Sequence, residues 1–142
     1  MMKASAIILL ASLLGASCGW FEDPRPNEAR LVVDGEAGKP VRLIVSTKFV
    51  AAVNEAGQTR IVLFEADTIV TTLPIDRVVT IGGDERFFAE TARLDSDLAT
   101  VRMQVFLDRK KEFDEDGPLL TGQPYRFVYT FNQQITRDIV VI

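Results

Sequence analysis

The sequence contains no histidine and a single cysteine, Cys18, among its 142 residues. Without histidine, the chain lacks the usual general base of Ser-His-Asp and Cys-His catalysis and the commonest zinc ligand. One cysteine cannot form a disulfide within the chain. A glycine-rich phosphate loop, a nucleophile elbow and a metal-ligand spacing are also absent. We therefore expect a protein that is not an enzyme and has no cofactor or metal.

The charges are mixed along the chain and carry a mild acidic excess. Sixteen basic and 20 acidic residues give a formal net charge of −4. Nucleic-acid binding depends on clustered positive charge, so we expect no nucleic-acid partner. Apolar residues make up 47% of the chain, which is in the globular range, and the length fits one domain.

The first 17 residues have the pattern of a secretory signal peptide. Lys3 precedes an apolar run at residues 4–14, and small residues follow the run. The run is shorter than the roughly 20 apolar residues that a transmembrane helix needs. The pattern predicts that residues 1–17 are removed.

The segment Leu14-Gly15-Ala16-Ser17-Cys18 resembles the lipobox of bacterial lipoproteins, at which a signal peptidase cuts before a diacylated cysteine. The family usually has leucine three residues before the cysteine, where this sequence has Gly15. The resemblance implies that Cys18 carries lipid, often a diacylglycerol plus an N-acyl chain such as palmitate, and anchors the chain to a membrane. The alternative is an ordinary signal peptide cut near Ser17, which leaves Cys18 as a free thiol.

Residues 18–29 are predicted to form a lipid-anchored tether. Pro24 and Pro26 restrict their neighbours to extended conformations. Gly19 stands where an aspartate, in enteric bacteria, resembles a signal for retention in the inner membrane. The resemblance therefore favours the periplasmic face of the outer membrane over the inner membrane, within the cell envelope.

Residues 30–142 have a hydrophobic period of two, which predicts strands. Val101, Met103 and Val105 share one face of such a strand, whereas residues 61–64 form a continuous apolar run, typical of a strand buried on both faces. Turn signals separate the strands by about 8–12 residues, as in β-sandwiches. We expect an all-β domain: an antiparallel two-sheet sandwich, immunoglobulin-like or transthyretin-like, with about seven or eight strands. A small β-barrel is the second choice.

Three local features refine this expectation. Gly82-Gly83 between residues 74–81 and 85–92 predicts a β-hairpin, whose second strand directs Phe87 and Phe88 to opposite faces. The β-branched tail, residues 139–142, is typical of a strand inserted in a sheet. Residues 47–54 are the best alternative helix.

The aromatic row supplies the candidate contact residues. Tyr125, Phe127, Tyr129 and Phe131 alternate with other residues along one predicted strand. The row is either the inner face of the sandwich or an exposed platform for a sugar or a peptide. Tyr125 and Tyr129 are therefore the candidate residues for contact with a ligand or partner.

Charged residues offer weaker candidates. Glu65 and Asp67, with Asp76 downstream, could perform glycosidic acid–base chemistry only across a cleft, so we interpret them as surface charges. The acidic stretch 108–116 contains a fragment of a calcium loop, and we interpret it as a solvated hairpin tip whose charges prevent edge association. Three isolated arginines are predicted to be cross-strand partners for three acidic residues: Arg86, Arg93 and Arg102 for Glu85, Glu90 and Asp95.

These patterns favour a membrane-anchored lipoprotein whose non-catalytic sandwich binds or scaffolds another cell-envelope protein. The alternative is an envelope module that binds a small ligand or glycan through an exposed aromatic face. A carboxylate hydrolase is third. An exposed edge strand with an apolar patch would favour the first function, a concave site rimmed by Tyr125 or Tyr129 the second, and two carboxylates that converge in a cleft the third.

Overall fold

A computed structural model describes residues 25–36, 38–94 and 99–142. In these ranges the chain forms strands and one short 3-10 turn, Gly82–Asp84, and no helix is long and apolar enough to cross a membrane. The described residues form ten strands: β1 (Glu28–Gly35), β2 (Pro40–Val53), β3 (Thr59–Thr72), β4 (Ile75–Thr80), β5 (Arg86–Arg93), β6 (Ala99–Leu107), β7 (Lys110–Leu119), β8 (Tyr125–Thr130), β9 (Gln133–Ile135) and β10 (Ile139–Val141).

The ten strands form two sheets. The four-stranded sheet has the order β4-β1-β6-β7, and the six-stranded sheet has the order β10-β3-β2-β5-β8-β9. All paired strands are antiparallel except β10, which runs parallel to β3. The six-stranded sheet curls into a half-barrel. The expectation of an all-β, two-sheet domain is therefore confirmed.

The main core fills the space between the sheets. On β6, Val101, Met103 and Val105 are fully buried and alternate with more exposed residues, as the period of two predicts. Phe127 and Tyr129 of β8 face them from the six-stranded sheet. Three of the four residues of the aromatic row, including the half-buried Tyr125, therefore pack in or against this core, as the inner-face interpretation predicts.

A second, smaller core lies on the other face of the six-stranded sheet. Its buried members are Phe49, Ile61, Phe88, Val128 and Ile139. The pairing of β2 with β3 shifts register between residues 45 and 49. Before this irregularity the buried apolar side chains of β2 point into the main core, and after it they point into the second core. The curled sheet and strand β10 cover this second core.

Phe87 and Phe88 lie on opposite faces, as predicted. The Phe87 ring is in the main core, whereas the Phe88 ring is in the second core and makes an edge-to-face contact with Phe49 at 6.3 Å between centroids. The C-terminal tail also lies in a sheet as expected, since Ile139–Val141 forms β10.

Other local predictions are wrong. Residues 82–84 do not close a hairpin, because the 3-10 turn carries the chain from β4 in one sheet to β5 in the other. Residues 47–54 are not a helix, since β2 continues to Val53. The run 61–64 is not buried on both faces, because Val62 and Phe64 are exposed. The described strands outnumber the predicted seven or eight because the acidic stretch, expected to be a hairpin tip, lies mostly in β7, and because β9 is too short to show alternation.

Candidate functional site

The predicted site residues have different environments. Cys18 lies outside the described residues. Tyr129 is only 4% exposed, and its hydroxyl donates a hydrogen bond to Oδ1 of Asn132 at 2.8 Å. Tyr125 is half-buried, and burial, with the negative charges of Glu115 and Asp116, raises the pKa of its phenol. Phe131, the last residue of the row, is exposed in the turn after β8.

Two open hollows lie where β7 faces β8 and β9, and each is lined by one of the two tyrosines. The hollow at Tyr129 has a volume of about 560 Å³ and is also lined by Lys110, Glu112 and Gln134. Hydrogen bonds from Lys110 and Gln134 lower the pKa of the Glu112 carboxyl there. The hollow at Tyr125 has a volume of about 470 Å³. The polar groups in the first hollow already bond one another, and the Tyr129 ring is almost wholly buried.

Strand β3 has an open edge. One side of β3 pairs with β2 along the strand, whereas on the other side β10 pairs only with residues 59–61. Within the part of the chain that the structure describes, no strand pairs with the outer side of residues 62–72. We call residues 62–72 the open edge. Eleven residues of extended backbone there offer peptide groups to an added strand.

The composition of the open edge is suited to pairing. It contains no lysine, arginine, proline or glycine, and β-branched residues fill most of its second half. Phe64 and Val70 are 65% and 62% exposed. Its only charged residues are Glu65 and Asp67, so its first half is acidic and its second half is uncharged.

The other long edge in the described residues is protected. Strand β7 closes the four-stranded sheet with six charged residues and Pro118, both common devices against edge pairing. Arg102 holds Asp114 there by two hydrogen bonds of 2.7 and 2.8 Å. The acidic stretch is thus mostly an edge strand and not the predicted hairpin tip, which is at Asp108 and Arg109. The remaining edge strands are short: β4 has six residues, and β9 and β10 have three each.

Two of the three candidate carboxylates pair with arginines. Asp67 forms an ion pair with Arg77, and Asp76 accepts hydrogen bonds from Arg30 at 2.5 and 2.8 Å, which lower its pKa. Glu65 and Asp67 line a hollow of about 250 Å³ beside the β2 bulge. In the described ranges, no group of three histidine, cysteine, aspartate or glutamate residues is placed to hold a metal ion.

One charged cluster differs from the sequence prediction. Glu90 is buried on the outer face of β5, where Arg126 donates a hydrogen bond at 2.7 Å and Arg42 one at 3.0 Å. The predicted partner, Arg93, is not the observed one, because residues 90 and 93 face opposite sides of the strand. Arg126 also donates to the carbonyl oxygen of Ile139 at 2.7 Å. The cluster therefore fastens three central strands to the C-terminal strand.

The other predicted ion pairs also differ. Arg86 donates to the carbonyl oxygen of Phe49 at 2.6 Å, while Glu85 pairs with Arg25. Arg102 pairs with Asp114, and its predicted partner Asp95 lies outside the described residues. Sequence spacing alone could not identify partners on strands that are distant along the chain.

Comparison with known proteins identified no relative of this chain. No family model, no curated protein and no solved structure matches this chain. The open edge of β3, which the sequence pattern did not indicate, is therefore a candidate site on its geometry alone. The β-branched composition of this edge was visible in the sequence. Its outer side is unpaired because β10 pairs with only three residues of β3.

Proposed function

We propose that this chain is a membrane-anchored lipoprotein of the cell envelope, and that its sandwich binds another envelope protein by accepting a strand of that protein on the open edge of β3. The observation that carries the proposal is the long edge with exposed Phe64 and Val70, no lysine, arginine, proline or glycine, and an uncharged second half. Each backbone hydrogen bond of an added strand contributes about 0.5–1.5 kcal/mol net. The anchor part of the proposal is supported by the lipobox resemblance at Cys18.

Charge and shape define the partner's chemistry. The partner offers an extended segment with β-branched or aromatic side chains, because these pack beside Phe64 and Val70. At the end that meets Glu65 the segment carries a lysine or arginine, since an opposite charge across a strand pair is favourable. Polar contacts and backbone hydrogen bonds together fix which residues of the two strands lie opposite each other.

The sandwich class is also part of the proposal. In immunoglobulin constant domains the first two strands belong to one sheet. Here β1 and β2 lie in opposite sheets, so we favour the transthyretin-like alternative. The ligand-binding alternative has less support, since Tyr129 is nearly buried and its hydroxyl is already bonded within the domain.

Site-specific crosslinking in native membranes tests the open edge. A photoreactive amino acid replaces Val70 in the full-length chain, and a matched sample carries it at Val53, which is similarly exposed at the far end of β2. We expect one discrete protein adduct from position 70 and none from position 53. In a chain that also carries Thr68→Lys, the adduct should decrease several-fold, because a lysine on the edge opposes pairing.

Two results would count against strand addition. Equal adducts from positions 70 and 53 would show nonspecific proximity, and an adduct insensitive to Thr68→Lys would show contact through side chains elsewhere. Thermal unfolding of the lysine variant serves as the control for folding, because Thr68 is exposed and its replacement should leave the midpoint unchanged.

A further inference from the structure

The end of the sandwich that receives the chain from Cys18 is fixed by several contacts. Arg25 forms an ion pair with Glu85 at 2.6 Å. The carbonyl oxygen of Asn27 accepts hydrogen bonds from the backbone of Ile81 and Gly82, and its own N–H donates to Asp108 at 2.9 Å. The chain therefore enters the domain beside the turns that follow β4, β6 and β8.

Chain length keeps this end near Cys18. Seven peptide units separate Cys18 from Arg25, and a polypeptide spans at most about 3.6 Å per residue, or about 25 Å in total. If Cys18 carries the lipid anchor, Arg25 lies within that distance of the bilayer. The opposite end of the sandwich is one strand length further from Arg25.

Exposed apolar side chains lie at the same end. Phe131 is 56% exposed, and its N–H donates to the carbonyl oxygen of Glu85 at 3.1 Å, next to the Arg25 contact. Val50 borders the same hollow as Phe131. Val62 lies directly opposite Val50 in the β2–β3 ladder, so their side chains share a face. We call Val50, Val62 and Phe131 the tip patch.

The backbone at Phe131 is strained. Its φ of +44° is one that bulky residues rarely adopt, whereas the next residue, Asn132 at +67°, suits that region. The guanidinium of Arg86 lies 4.8 Å from the centroid of the Phe131 ring. The positive φ costs folding free energy that the contact with Arg86 offsets only in part, and strain of this kind is common at functional positions.

We infer that the tip patch rests on the lipid surface that holds the anchor, with the Phe131 ring at headgroup level and Arg86 beside it. The inference relies on the proposed lipidation of Cys18. Aromatic rings and arginine side chains favour the membrane interface, because they place an apolar body and a polar tip at the boundary. This contact orients the sandwich, so that the second half of the open edge points away from the bilayer.

Fluorescence quenching by brominated lipid tests the contact. The full-length, lipidated chain with Trp20→Phe is reconstituted in vesicles of phosphatidylethanolamine and phosphatidylglycerol. One sample carries Phe131→Trp, and the matched control carries Leu120→Trp, an exposed position at the opposite end of the sandwich. We expect blue-shifted emission at position 131 and several-fold stronger quenching there than at position 120.

The outcomes separate this inference from the anchor. If the protein floats with the vesicles but positions 131 and 120 are quenched equally, the tip-patch contact is wrong while the anchor stands. If the protein does not float, the anchor and the contact both fail. If a photoreactive group at Val50 in native membranes forms adducts with protein and none with lipid, the patch belongs to a protein partner and the inference is overturned.

Discussion

The carboxylate of Glu90 accepts a hydrogen bond from Nε of Arg126 at 2.7 Å on the outer face of the six-stranded sheet. The side chain of Glu90 is 3% exposed, and Arg42 provides its second partner. Removal of this buried carboxylate would take a partner from Arg126 and from Arg42, whose side chains are 26% and 42% exposed. The cluster therefore links β2 and β8 to the buried carboxylate on β5.

We expect Glu90→Ala to lower the free energy of unfolding by about 1–3 kcal/mol, because it removes the buried carboxylate that accepts charge-assisted hydrogen bonds from Arg42 and Arg126. The matched control is Asp76→Asn, which removes an exposed partner of Arg30 and should cost far less. Urea denaturation of both variants gives the comparison. Equal losses would mean that the Glu90 cluster is no more important than a surface pair.

Phe131→Asn should leave the stability of the domain unchanged or slightly higher. Asparagine tolerates the positive φ at this position, which relieves a cost of about 1–2 kcal/mol. The loss of the contact with Arg86 offsets about 0.5–1 kcal/mol of that gain. Thermal unfolding measures the net effect. A clear fall in the midpoint would show that the ring holds the turn, and it would weaken the argument for a membrane role.

Acid should destabilise the domain through its paired carboxylates. Hydrogen bonds from Arg102 and Lys111 hold the pKa of Asp114 well below its usual range. Because the folded pKa is lowered, the stabilisation is complete above the unfolded pKa of about 4 and is lost as the pH falls below it. Asp114→Asn should therefore cost more stability at pH 7 than at pH 3, as urea melts at the two values can show. An equal cost at both values would contradict the prediction.

Stability should be nearly constant between pH 6 and pH 8. Histidine is the residue whose ordinary pKa lies in this window, and the chain has none. The carboxyls with lowered pKa values, such as Asp84 and Glu112, are fully ionised there. Chemical denaturation across the window provides the measurement, and a slope would reveal a group with a pKa near neutrality.

Gly35→Ala should be strongly destabilising. Gly35 has φ +151° and pairs with Val101, and a Cβ there would collide with the carbonyl oxygen of Thr100. Strain and overpacking together predict a loss of about 2–4 kcal/mol. Gly57→Ala is the control, because its φ of +79° is unfavourable to alanine but the space around it is open, for a loss of about 1 kcal/mol. Similar midpoints for the two variants would contradict the steric argument.

If Cys18 carries the proposed lipid, Cys18→Ser should release the protein from membranes or leave it unprocessed, because serine cannot form the thioether link. Membrane fractionation and the mass of the mature chain measure both results. Ser17→Ala is a matched control, since it keeps a small residue before the cysteine. Normal processing and continued membrane association of the Cys18 variant would refute the lipid anchor.

Sequence reasoning succeeded where the signal was local. Alternation at Val101, Met103 and Val105 predicted a half-buried strand, and the adjacent Phe87 and Phe88 predicted two apolar faces. It failed at Gly82-Gly83, where a turn signal cannot tell whether the next strand pairs with the previous one or enters another sheet. The second core depends on a bulge near Lys48, which has no clear sequence signature.

The candidate site was less predictable. Glycine and turn signals locate the ends of a strand, but they do not reveal which of its sides remains unpaired. The open edge of β3 depends on β10, which is distant in sequence and only three residues long. The two tyrosines chosen from the aromatic row are mainly packing residues, since alternation fixes the face of a side chain but not whether that face meets a second sheet.

Strand β10 also affects how the protein can be handled. It runs parallel to β3, and the N–H of Ile142 donates to the carbonyl oxygen of Ile61 at 3.0 Å. By the same register, residues fused after Ile142 would begin beside Leu63 and point along the open edge. A C-terminal affinity tag could then pair with β3 itself and hide the surface that the tag is meant to help study. A tag inserted in the turn at residues 55–57 would leave that edge free for a partner.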